Sequence, residues 1–152
     1  MMKVERLLQE KGNTVLSFHK DTSILEAADK FGSTIEGKRF SVSVVVDDDR
    51  RVLGVLSLGD IVHGISTYKA DVVNQSVGTL MTPNVYAAQL SDTLLDVLKN
   101  MVEHQVRHVP VVKDGVLQGL VARKDVLETL HGDALFQLTN LTEYVYRSGG
   151  RY

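Results

Sequence analysis

The chain has 152 residues, 43% of them apolar and 24% charged, with a formal net charge of −2, a length that holds one compact core or two half-size units sharing one. The near-neutral balance argues against nucleic acid or an anionic membrane as partner, and no apolar run approaches the roughly 18 residues that span a bilayer. The absence of cysteine excludes disulfides, thiol nucleophiles and zinc–thiolate sites, and with no apolar signal region behind the first residues a cytoplasmic setting is expected.

Residues 2–11 read as a short amphipathic helix, with Val4, Leu7 and Leu8 on one face and Gly12-Asn13 ending it. Residues 14–18 are a strand candidate. Ser23 and Glu26 have capping-box spacing and open a helix to about Phe31, with Ile24, Ala27, Ala28 and Phe31 at helical intervals. Residues 40–46 are rich in β-branched side chains and read as a strand; the acidic turn Asp47-Asp48-Asp49 leads to a partner strand over 52–57. Asp60 then sits near the start of a helix over 61–66. Residues 67–80 read as a polar linker with one short helical turn. A strand at 85–88 and a helix at 93–104 follow, with Thr93 and Asp96 again at capping-box spacing. Strands at 109–112 and 116–121 are joined by the tight Lys113-Asp114-Gly115 turn, and a helix covers 125–130. Over 134–146, Leu135, Leu138, Leu141 and Val145 fall at helical spacing, so a flanking helix is expected. Its apolar stripe must be covered by the body of the protein or by a second subunit.

The second half of this order repeats the first. Gly54-x-x-Ser57-x-x-Asp60 returns as Gly119-x-x-Ala122-x-x-Asp125, Val15 answers to Val85, and Ser23 to Thr93. The extra residues of the first copy fall near 32–38 and in the 47–51 turn, both connections, as a true tandem repeat requires. The expected fold is therefore α+β: two pseudo-symmetric β-α-β-β-α repeats packed sheet to sheet, with an N-terminal and a C-terminal flanking helix. The expected boundaries are 4–66 for the first repeat with its helix, 67–76 for the linker, 77–130 for the second repeat, and 131–152 for the C-terminal helix and tail. One such unit alone is marginal, because its small sheet leaves a face uncovered. Pairing two units solves this and creates two equivalent clefts between them.

Three signatures carry a resemblance to a known family. Leu80-Met81-Thr82-Pro83 opens the second copy, Val106-Arg107-His108-Val109-Pro110-Val111-Val112 is a basic residue running into a Pro-Val-Val strand, and the Gly-x-x-Ser-x-x-Asp signature is duplicated. Together they resemble a tandem pair of cystathionine-β-synthase-type (CBS) domains, the Bateman module, of the free-standing kind. The resemblance implies a non-catalytic regulatory module that binds an adenosine-containing ligand and reports energy or redox state to a regulated protein. AMP, ADP, ATP or NAD(H) are the expected ligands, with S-adenosylmethionine ranked below them. A homodimer is implied, and no cofactor is required. The alternative is a ligand-independent dimerisation or docking module.

The residue chemistry suits a nucleotide. A carboxylate at a strand-to-helix turn, Asp60 or Asp125, can accept both ribose hydroxyls. Ser57 adds a hydroxyl, and Arg107 and His108 are natural phosphate ligands. Gly54 and Gly119 let a ligand approach the backbone. By family analogy, Thr14, Val15, Leu16 and Ser17 would join Ala122, Arg123 and Asp125 in one cleft. Thr82, Asn84 and Val85 would join Ser57 and Asp60 in the other. Ala122 lacks the hydroxyl, yet basic side chains lie near it in sequence, so the Asp125 cleft is expected to be the main phosphate site. The plain alternative for each Asp is a helix cap, and for Arg107 and His108 a solvated strand edge. His104 and His108 are four apart, but a helix end between them spoils metal geometry. His19, His63 and His131 are expected at the surface. No nucleophile–base set or phosphate-transfer motif points to an enzyme.

Overall fold

A computed structural model of the chain describes residues 1–147; the last part of the expected tail, 148–152, lies outside the described residues. Helix α1 (Val4–Lys11) buries Val4, Leu7 and Leu8 and stops at Gly12, whose φ of 88° only glycine adopts easily. Strand β1 (Ser17–His19), helix α2 (Ile24–Gly32), the hairpin β2 (Val42–Val46) and β3 (Val52–Ser57), and helix α3 (Leu58–Tyr68) form the first copy. A 3-10 turn (Lys69–Asn74) and α4 (Val77–Leu80) lead to β4 (Thr82–Pro83). The second copy follows as β5 (Ala88–Gln89), α5 (Leu94–Glu103), β6 (His108–Lys113), β7 (Val116–Ala122) and α6 (Arg123–Arg147).

The two sheets have orders β1-β2-β3-β4 and β5-β6-β7. In each, the first strand runs parallel to the second and the hairpin is antiparallel. The repeat extends to a register irregularity in the same place, between Val45 and Val46 and between Val111 and Val112. Every residue of β2 is buried, as are Val109–Val112 of β6, as expected of central strands covered on both faces. Ser43, the one buried polar side chain among the described residues, donates to the Leu56 carbonyl at 3.1 Å and so leaves no orphan group.

The packing crosses the repeat. Val4, Leu7 and Leu8 of α1 belong to the core of the second copy, with Leu94, Val97, Met101, Val109 and Val126. Conversely, Val72 and Val77 join the first copy's core with Phe18, Phe31, Val45 and Leu56. The segment read as a polar linker therefore carries two core residues. A third cluster, Val44, Val46 and Leu117 with Val15, Val52 and Leu120 against it, is the sheet-to-sheet junction. At one end the two hairpin turns are stitched together: Val52 N–H donates to Gly115 O at 3.2 Å, Leu117 N–H to Arg50 O at 3.0 Å, and Arg51 Nη1 to Asp114 O at 3.3 Å.

Several elements differ from their expected extents. The strand expected over 14–18 pairs only from Ser17, and the strand expected over 85–88 is reduced to Ala88–Gln89. Thr82–Pro83 instead forms β4 on the other copy's sheet. The helix expected over 61–66 begins at Leu58, because Ser57 caps it. The two helices expected at 125–130 and 134–146 are one helix of 25 residues. Gly132 keeps an ordinary φ, with nothing within 4 Å of where a Cβ would stand. A lone helical glycine costs only about 1 kcal/mol, and without a left-handed cap or a proline it does not end a helix. The side chains of Leu141 and Val145 lie outside the described residues.

Candidate functional site

The first signature is tied to itself. Ser57 is the N-cap of α3, and its Oγ accepts from Asp60 N–H at 3.2 Å. The Asp60 carboxylate returns the favour: Oδ2 accepts from Ser57 N–H at 2.8 Å and from Ser57 Oγ–H at 3.1 Å. This is the reciprocal capping box. At Ser23 and Thr93 the hydroxyl caps its helix, accepting from Glu26 N–H and Asp96 N–H at 3.2 Å each. Asp60 Oδ1 also accepts from Thr82 Oγ1 at 3.0 Å, so the opening strand of the second copy is pinned to the first signature. Gly54 makes room for this. It pairs with Pro83, and a Cβ there would run into the Thr82 carbonyl.

The second signature is built differently. Ala122 precedes α6 with no hydroxyl to cap it, and among the described residues none of those three bonds has a counterpart at Asp125. What the copies share is a backbone tether. Leu58 N–H donates to Ser41 O at 3.1 Å, and Arg123 N–H to Arg107 O at 2.8 Å. Gly119, the counterpart of Gly54, faces Leu8 and Asn13, with a Cβ 3.1 Å from a Leu8 methyl. Both signature glycines thus admit another part of this chain.

Two cavities lie where the copies meet. The larger, about 440 Å³, is lined by Ser41, Val55, Ser57 and Gly59 of the first copy and by Arg107 and His108 of the second. Leu58 and Asp60 amides are already engaged, so Gly59 N–H is the first-turn donor of α3 left over. The smaller, about 140 Å³, is lined by Thr14, Lys38, Leu120 and Asp125, and is narrowed by Leu7, Leu8 and Lys11 of α1. Asp60 and Thr82 border a third hollow of about 320 Å³ between α3 and α4, with His63 and Tyr68.

The expected site residues separate accordingly. Thr14 and Asp125 do share a cavity, but Val15 packs at the sheet junction, Leu16 against the first core, and Ser17 pairs with Val44. Thr82 meets Asp60 directly; Val85 is half-buried on the way into β5. Ala122 pairs with His108 across β6 and β7. Arg107 and His108 open toward Ser57, whereas sequence proximity had suggested that they serve Asp125. The residues just before a strand lie at its entrance, and here that entrance faces the other copy's strand-to-helix turn. The contribution of α1 to the Asp125 cavity was not read from sequence, although its one-sided apolar face signalled a docked helix.

The electrostatics centre on His108. Its imidazole is held below its ordinary pKa, first by burial and then by the Arg107 guanidinium, with Lys124 adding to this and Asp125 opposing it. The neutral ring is therefore the favoured form at pH 7. Arg107 is exposed, and none of the residues lining the larger cavity is a carboxylate. His104, four residues back, caps α5 and stacks on Tyr86, with ring centroids 5.6 Å apart.

Comparison with known proteins agrees with this architecture. The family model of the CBS domain matches twice, over residues 13–67 and 77–132. An inosine-5′-monophosphate dehydrogenase of Halobacterium salinarum is 32% identical over 134 residues, which covers 87% of this chain and 25% of that enzyme. The chain thus spans about a quarter of that relative's length. The crystal structure of a CBS-domain protein from Agrobacterium tumefaciens has a TM-score of 0.71 at 34% identity, covering 84% of this chain and 98% of that one. CBSX2, solved in complex with AMP, has a TM-score of 0.69 at 24% identity, covering 88% and 99%, and shares the fold. The two copies, their cross-packed helices and these matches lead to one assignment: the chain belongs to the CBS-domain family, as a tandem pair.

Proposed function

We propose that this CBS pair is a non-catalytic regulatory module and that the cavity between Ser57 and Arg107–His108 binds an adenosine nucleotide. The observation that carries this is a cavity of about 440 Å³ lined by Arg107 and His108 of one copy and Ser41 and Ser57 of the other, with no carboxylate in the lining. Such a lining favours an anion, since charge-assisted bonds to phosphate oxygens are the strong ones. Asp60 lies outside that lining, on the adjoining hollow, but closes the same turn, and its carboxylate would reach ribose hydroxyls only by giving up its bonds to Ser57 and Thr82. AMP, ADP, ATP and NAD(H) suit this lining better than S-adenosylmethionine, whose sulfonium charge would meet Arg107. The AMP bound to CBSX2 supports the same ligand class. The Asp125 cavity, about a third as large and roofed by α1, ranks second.

The direct test is thermal unfolding with AMP, ADP, ATP, NAD⁺, NADH and S-adenosylmethionine in turn. A ligand at 100 times its Kd stabilises by about 2.7 kcal/mol, several degrees for a chain of this size. A shift with the phosphate-bearing ligands is expected; no shift with any would remove the nucleotide reading.

A second reading, assembly, rests on α3, where Leu58, Val62 and Ile65 stand exposed, with Leu127 exposed on α6. The α3 residues follow helical spacing and form one apolar stripe. We take it as the homodimer surface. A dimer by light scattering is expected; a monomer at working concentration would contradict it.

A further inference from the structure

We propose that His108 makes the Ser57 cavity select a terminal phosphate monoester, by taking up one proton as that group binds. The inference rests on the nucleotide reading above and adds to it the class of phosphate and a dependence on pH.

In the free protein the cavity offers one permanent cation, Arg107, and a half-buried imidazole beside it. From its own strand entrance His108 faces Arg107; from the start of α6 it faces Lys124 and Asp125. The first copy's residues that share the cavity with it, Ser41, Ser57 and Gly59 among them, carry no charge near neutral pH. Desolvation first, and then two cations against one carboxylate, favour the neutral ring. A phosphate monoester near pH 7.5 brings almost two negative charges, since its second pKa is about 6. Arg107 answers one of them. The other reverses the field at His108, and the ring becomes a cationic donor. A phosphate diester brings a single charge, which Arg107 already balances, so it leaves the ring neutral.

The sign follows from linkage. A group that gains a proton in the complex makes binding tighter as pH falls, by up to about tenfold per pH unit at full uptake. Between about pH 7 and 8.5 the monoester itself stays almost fully ionised, so the dependence reports on the protein.

Calorimetry with adenosine 5′-monophosphate and its methyl ester tests this, at pH 7.0, 7.5 and 8.5 and in buffers of different ionisation enthalpy. The expected result is uptake of about 0.5–1 proton with the monophosphate and close to none with the methyl ester. Affinity for the monophosphate should fall at least severalfold from pH 7.0 to 8.5. His108→Gln should abolish both the uptake and the preference for the monophosphate; the wild-type measurement needs no variant to fold. If the monophosphate binds with no proton uptake, or if His108→Gln keeps the same uptake, the inference is wrong and the nucleotide reading stands. If neither compound binds, both fall together.

Discussion

The two Gly-x-x-Ser/Ala-x-x-Asp turns began as one motif and now do different work. At Ser57–Asp60 the carboxylate is held by two bonds from Ser57 and one from Thr82, and the turn faces the Arg107–His108 entrance of the other copy. At Ala122–Asp125 the hydroxyl is missing, and α1 lies over the cavity. The loss of one oxygen and the position of one flanking helix separate an open, cationic cavity from a small, covered one. Duplication supplied two equivalent turns; what packs beside each sets the size and lining of the cavity next to it.

The comparison can be broken most forcefully at α1. Leu7 is buried in the second copy's core and also lines the Asp125 cavity. Leu7→Ala should cost about 2–5 kcal/mol, the range for emptying a packed leucine site, and should open that cavity while leaving the Ser57 cavity unchanged. Urea unfolding gives the first result. Nucleotide titration before and after gives the second.

The signature glycines come next. Gly54→Ala forces a Cβ onto the Thr82 carbonyl, a backbone atom that cannot turn aside. A loss of about 1–3 kcal/mol is expected. Gly119→Ala meets only leucine methyls and the Asn13 Cβ, and Leu8 can shift by a few tenths of an ångström. Its loss should be clearly smaller in the same unfolding assay, and equal losses would contradict the different roles assigned to the two glycines.

The caps give a finer contrast. Ser57→Ala removes a capping box and should cost about 1 kcal/mol. Ala122→Ser adds the hydroxyl that the second copy lacks and should be neutral or stabilising. A destabilised Ala122→Ser variant would show that the second turn cannot close as the first does.

The smallest effect is in pH. His108 has a folded pKa below its unfolded value of about 6.5. The unfolded chain therefore binds more protons in that window, and stability rises with pH through it. The contribution is fully present above the unfolded value and is lost as pH falls through the folded one. His108→Gln should flatten the acid limb of the ligand-free stability profile below about pH 6.5, measured by urea unfolding.

Much of this was legible in the sequence, because the repeat constrains it. Ser23 and Thr93 mark their helices correctly, and the strands read over 40–46 and 109–112 form as Val42–Val46 and His108–Lys113. What escaped depends on neighbours that are remote in sequence. Thr82–Pro83 is too short to read as a strand and acquires that role only by pairing with Gly54 and Val55. The facing of Arg107 and His108 depends on how the copies dock, which local spacing does not encode. The gap left between the helices expected over 125–130 and 134–146 is spanned by one continuous helix, in which Gly132 is tolerated. Asp60 had two readings, cap and ribose ligand. Its bonds to Ser57 make it a cap, and the bond from Thr82 ties that cap to the opening strand of the second copy.

The central claim is that the Ser57 cavity, not the Asp125 cavity, carries the nucleotide phosphate. The most direct test is calorimetric titration of AMP into wild type, Arg107→Ala and Asp125→Ala at one pH. The account predicts that Arg107→Ala weakens binding by about 1–3 kcal/mol, the scale of a lost charged hydrogen bond, while Asp125→Ala binds within a fewfold of wild type. The reverse pattern, binding lost with Asp125→Ala and kept with Arg107→Ala, would contradict it.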